Sequence, residues 1–105
     1  MKKTFNLIHP KIKIDRQFEA SRFEIKKYIK RERRKALPSG SDFWDFDCRF
    51  GDTDQDAKVI HLGDIGKHIT DVQERGLTSF YLEIMAKPAS REKKSNPGPM
   101  ATDDL

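Results

Sequence analysis

Asp45 and Asp47, in the stretch "DFWDFDC", are carboxylates one residue apart. On a strand they share a face at about 6.5–7 Å, a separation at which two carboxyl groups can do acid–base work on a sugar. Nothing beside them in the sequence supplies a cleft or a reason to shift either pKa, so the pair reads as the solvent side of a strand. Asp52, Asp54 and Asp56 occupy the first three ligand positions of a calcium loop. That pattern needs Gly at its sixth position and Glu at its twelfth, where this chain has Ala57 and Gly63. His9, His61, His68 and Cys48 lack zinc-ligand spacing. There is no Ser-His-Asp or Cys-His signature, no P-loop and no dinucleotide fingerprint. Enzyme chemistry is therefore unsupported, and no cofactor or metal is implied.

Two further patterns concern anions. "LGDIGKHI" contains Gly63-x-x-Gly66 followed by Lys67, similar to the loop that clamps a nucleic-acid backbone in KH domains. Such glycines beside a helix N-terminus can cradle a phosphate. KH loops join helices, however, whereas "KVIHL" reads as a strand, and Asp64 reads as an N-cap rather than a neighbour for phosphate. The second pattern is the basic block. Arg22, Lys26, Lys27, Lys30, Arg31, Arg33, Arg34 and Lys35 face only Glu24 and Glu32 in that segment. The segment carries +6 of a net +4, which leaves −2 for the rest of the chain. A basic pole of this kind attracts phosphate-rich surfaces.

The block lies on a helical pattern that starts at Asp15, read as its N-cap, and ends at Leu37 before Pro38. At about 100° per residue, Phe18, Ser21, Ile25, Tyr28, Ile29 and Ala36 form an apolar stripe. Lys27, Lys30, Arg31 and Arg34 fall opposite. Like charges four apart on that face cost roughly 0.2–0.5 kcal/mol per pair. Phe23 sits among the cations and off the stripe, where it could stack on a base. The nucleic-acid set is thus Phe23, Lys26, Lys27, Lys30, Arg31 and Arg34, and the weaker phosphate set is Gly63, Gly66 and Lys67. The competing reading is a protein-interaction or adaptor module in which the polar sheet face or the first helix meets an acidic partner, and a solvated helix face is the simplest alternative.

Around that helix the pattern has period two. Thr4 to Ile8 is a short strand. "DFWDFDCRF" places Trp44, Phe46, Cys48 and Phe50 on one side, and "KVIHL" is a third strand. Asp64 to Arg75 is a second helix stopped by Gly76, and "SFYLEIMAK" is the last strand. The order β-α-β-β-α-β predicts an α+β, ferredoxin-like two-layer sandwich, an antiparallel sheet with two helices on one face. Its open face would carry Asp45, Asp47 and Glu83, with Tyr81 as the main aromatic. That charge repels phosphate, so the first helix is the better dock than the sheet.

At 105 residues with 36% charged residues, the chain predicts one compact domain over residues 1–88 and a disordered tail over 89–105. A single cysteine excludes an intrachain disulfide. No apolar run is long enough for a membrane span, so a cytoplasmic protein is expected.

The stretches "MKKTFNLIHPKIK", "KKYIKRERRKALPSGSDFWDFDCRFG", "VIHLGDI" and "LTSFYLEIMAKP" together resemble a family of small uncharacterised bacterial proteins, mainly proteobacterial, a domain of unknown function. The most specific part is "RERRKALP" followed by "DFWDFDC", and the resemblance covers roughly the first 88 residues. It implies a bacterial, cytoplasmic origin and brings no activity, cofactor or site.

Overall fold

Alternation in the strands and 3.6-residue spacing in the helices become seven elements in the computed structural model, which describes residues 1–90. They are β1 (Lys2–Asn6), α1 (Ile14–Arg33), β2 (Phe43–Gly51), β3 (Lys58–Ile60), a 3₁₀ turn (Leu62–Asp64), α2 (Ile65–Glu74) and β4 (Ser79–Ala89). The strands form one antiparallel sheet in the order β1-β4-β2-β3. The protein is therefore α+β. The ferredoxin-like layout, which would set β1 inside the sheet, is not confirmed by this order, because β1 lies at an edge.

Composition explains the placement. β4 pairs with β1 from Ser79 to Glu83 and with β2 from Tyr81 to Ala89, and Phe80, Leu82 and Ile84 are fully buried. β1 carries Lys2 and Lys3, and charged, short strands are how sheets blunt their edges. The order of elements along a chain does not say which strand takes the middle. β4 also runs two residues past Lys87, through Pro88 and Ala89. Residues 91–105, most of the expected tail, lie outside the described residues.

One sheet face is the core. Phe5, Phe46, Cys48, Phe50, Phe80, Leu82 and Ile84 meet Phe18 and Ile25 of α1 and Ile65, Ile69 and Val72 of α2. Three rings stack in a row across β1, β4 and β2. Phe5 and Phe80 have centroids 4.9 Å apart, and Phe80 and Phe50 5.2 Å apart. Each buried ring contributes about 1.5–3 kcal/mol through removal from water. Ile29 and Trp44 are only half-buried, packed at the border of this core.

Both helices end for identifiable reasons. α1 stops at Arg33, a turn short of Leu37. A longer helix would ask the Arg34 carbonyl to accept from the Pro38 nitrogen, which has no hydrogen. Instead Arg34 and Lys35 donate back to Arg31 and Glu32 at 3.2 Å, and the Trp44 indole N–H donates to the freed Lys35 carbonyl at 2.9 Å. At the start, Lys13 rather than Asp15 is the N-cap, and it makes no side-chain cap bond. Asp15 lies in the first turn, where its charge complements the dipole. α2 ends at Glu74, and the stop is made by Gly76, whose φ is +73°. Gly76 and Leu77 donate to Gln73 and Val72, the paired bonds of a Schellman stop.

Candidate functional site

The core stripe of α1 aims the opposite side outward. Taking 100° per residue, Phe23, Lys27, Lys30 and Arg34 form a row along that side, flanked by Lys26 and Arg31. All six residues expected at the nucleic-acid site line one shallow concavity. Phe23 is 64% exposed, and the Lys27 ammonium lies 5.5 Å from its ring centroid. The row ends where α1 ends, so the last cations also face the negative end of the helix dipole.

The electrostatics of this strip are one-sided. Among the described residues, no ion pair joins Lys26, Lys27, Lys30, Arg31, Arg33 or Arg34 to a carboxylate. Some basic side chains elsewhere are engaged: Lys3 with Glu24 at 2.6 Å, Lys87 with Asp47 at 2.9 Å, and Arg75 with Asp52 and Asp71, each at 2.8 Å. Lys2, Lys11, Lys13, Arg16 and Lys58, also without an ion pair among the described residues, are scattered rather than gathered on one face. Arg22, counted in the basic block, is also spent internally. Its guanidinium donates to the Thr70 hydroxyl at 2.8 Å and to the Gly66 carbonyl at 3.3 Å, tying α1 to α2.

Sequence reasoning left out Arg33. It joins Lys26, Lys30, Arg34, Ile29 and Leu62 around a second concavity that continues the first, and its guanidinium stands 5.5 Å from the Phe46 ring. It is part of the same basic run, so its helical angle beside Lys26 was a signal that could have placed it.

Gly63, Gly66 and Lys67 fall together at the start of α2. They lie on the 3₁₀ turn and the first turn of α2, a strand-to-helix junction rather than a link between helices. A Cβ at Gly63 would meet nothing within 4 Å, and at Gly66 only the Arg22 side chain at 3.6 Å, so neither glycine is needed for close approach within the chain. Lys67 is exposed and lies 4.0 Å from Asp64. Asp64 takes the N-cap position of α2 but makes no side-chain cap bond. Gly66 lines the cleft between α1 and α2 with Lys26, Ile29 and Leu62; Gly63 and Lys67 do not.

The carboxylate patterns resolve into structural contacts. Asp45 and Asp47 are exposed on the open face of β2; Asp45 accepts from the Phe46 N–H and Asp47 pairs with Lys87. Both Asp52 oxygens accept from Arg75, whose hydrogen bond holds the Asp52 carboxyl below its ordinary pKa. Asp56 accepts from the Thr53 hydroxyl. Among the described residues, no group of three or more His, Cys, Asp or Glu could hold a metal ion.

Tyr81 lies on the open sheet face as its alternation with Phe80 and Leu82 predicts, but is little exposed. The ring is buried rather than presented, and its hydroxyl donates to Glu83 at 2.7 Å; that bond, with burial and nearby carboxylates, raises the phenol's pKa. The main aromatic of the open face is thus covered by its neighbours while staying on that face. Cys48 is buried, and desolvation first, then Asp47 and Asp45, push its thiol up to about 11, which makes it inert as a nucleophile.

Among the described residues no helix is long and apolar enough to cross a membrane. Comparison with curated proteins and with solved structures returned no match. A family model does match, over residues 1–96, so the span of the resemblance extends past β4. The chain belongs to the family of unknown function DUF6172.

Proposed function

We propose that this chain is a small nucleic-acid-associated module that contacts RNA or DNA phosphates through Lys26, Lys27, Lys30, Arg31 and Arg34. One observation carries the reading: these five cations and Phe23 line a single concave strip, and among the described residues none of the five pairs with a carboxylate. A face built only for solubility gains from alternating charge, which adds i,i+4 pairs. This one concentrates a single sign at helical spacing, the arrangement that suits a polyanion. Binding through phosphates carries little sequence preference and a steep salt dependence. A cytoplasmic setting accompanies the reading.

A second reading has its own support. Where the strip turns toward α2, the half-buried Ile29 and Leu62 lie beside Lys26, Lys30, Arg33 and Arg34. An apolar floor with a basic rim also fits an acidic protein segment. The test is a titration of labelled RNA and DNA at low and moderate salt, with wild type and with Lys27, Lys30, Arg31 and Arg34 all changed to Glu. Circular dichroism confirms that both proteins are folded. The nucleic-acid reading expects salt-sensitive binding that the reversal abolishes. No binding at low salt sinks it and favours the protein partner.

A further inference from the structure

We infer that the strip takes single-stranded rather than duplex nucleic acid, with one unpaired base stacked on the Phe23 ring; this rests on the nucleic-acid reading above. Phe23 is the starting observation. A large aromatic side chain that is 64% exposed gains little from the fold, and phenylalanine is not a strong helix former. Its ring stands between two concavities. On one side are Lys26, Lys27, Lys30, Arg31 and Arg34. On the other are Met1, Tyr28 and Glu24, with Lys27 and Arg31 again at the border. Glu24, the one carboxylate there, is held by Lys3 at 2.6 Å.

Position selects the strand state. With a rise of 1.5 Å per residue, Lys27, Lys30 and Arg34 follow Phe23 along the helix by about 6, 10 and 16 Å. An aromatic platform at one end of a single file of cations is what one strand requires. A base lies on the ring while the backbone that carries it runs past the charges. In a duplex both faces of each interior base are already covered, so the ring meets a base only after extrusion from the stack. The Lys27 ammonium stands over the ring, 5.5 Å from its centroid; a base stacking on that face displaces it, and its flexible stem then carries it to the phosphate of the same nucleotide.

The test compares a 12-nucleotide single strand, as RNA and as DNA and with a central 2-aminopurine, against a hairpin duplex of the same composition. Wild type, Phe23→Leu, Phe23→Tyr and Lys27→Gln are titrated across a salt series. The inference expects tighter binding of the single strand and quenched 2-aminopurine fluorescence. Phe23→Leu should weaken single-strand binding by about five- to hundredfold with its salt slope unchanged, leave duplex binding where it was, and abolish the quench. Phe23→Tyr should keep most of the affinity. Lys27→Gln should reduce the single-strand salt slope by about 0.7. Tighter duplex binding, or a Phe23→Leu protein that binds the single strand as wild type does, overturns the inference while leaving phosphate binding in place. Absence of binding to either nucleic acid at low salt overturns both.

Discussion

Lys30 has four neighbours at helical spacing, Lys26, Lys27, Arg33 and Arg34, and all are cations. Among the described residues it has no ion-pair partner. Each such pair costs roughly 0.2–0.5 kcal/mol, so the Lys30→Gln change relieves about 1–2 kcal/mol of repulsion. Lys30 also lies in the last turn of α1, and removing a cation there forfeits about 0.3–1 kcal/mol of favourable interaction with the helix dipole. Gln and Lys have nearly equal helix propensities. Taking the middle of both ranges, the net expectation is a protein more stable by about 0.7 kcal/mol, or about 3–6 °C in Tm for a domain of this size. Urea unfolding followed by fluorescence of Trp44, the sole tryptophan, reads this directly. The gain should be largest at low salt and shrink at 1 M, where the screening length is about 3 Å. A Lys30→Gln protein less stable than wild type at low salt, or changed equally at both salts, would refute the argument that this face carries unrelieved repulsion.

Three further outcomes follow from particular contacts. A Cβ at Gly51 would stand 2.7 Å from the Ala57 backbone, so Gly51→Ala must displace the β2–β3 corner and should lower stability by about 1–3 kcal/mol in urea. The Cys48 thiol, with its pKa raised by burial to about 11, should resist alkylation at pH 8 until the protein is unfolded. The folded state holds this proton more tightly than the unfolded one, so the Cys48 contribution is complete below about pH 9 and declines as pH rises toward 11; a Cys48→Ala comparison isolates it. Arg75 ties the loop at Asp52 to α2 through two hydrogen bonds. Arg75→Gln should speed amide exchange across residues 52–56 with little change in global stability, and wild type should show the same loosening as pH falls below the ordinary Asp range, because the Asp52 pKa is depressed in the fold.

Much of the architecture was legible because burial writes its period into the chain. The parity of Trp44, Phe46, Cys48 and Phe50 identified the inner face of β2, and Phe18, Ser21 and Ile25 identified the inner stripe of α1. Strand order was not legible, since pairing is decided by which strand can bury both neighbours and edges, not by sequence adjacency. The end of α1 comes a turn before Leu37 because the missing Pro38 N–H acts four residues upstream, at the Arg34 carbonyl, and not only on the residue before the proline. Tyr81 lies on the open face as its parity indicates, but its low exposure was not legible, because it depends on the side chains of neighbouring strands. The common face of Phe23 and five cations was readable, since one helix carries them and helical spacing alone brings them together. Arg33 could have been placed by its helical angle beside Lys26, but its contacts with Phe46 and the Leu62 cleft are tertiary and were not legible.

The most direct measurement is the slope of log Kobs against log salt concentration for a single-stranded oligonucleotide. Up to five phosphates neutralised by Lys26, Lys27, Lys30, Arg31 and Arg34 set a slope between about −2 and −3.5, and changing Lys27, Lys30, Arg31 and Arg34 together to Glu should abolish binding. No binding at low salt, or binding that neither salt nor the reversal weakens, would contradict the claim that the basic side of α1 is a nucleic-acid surface.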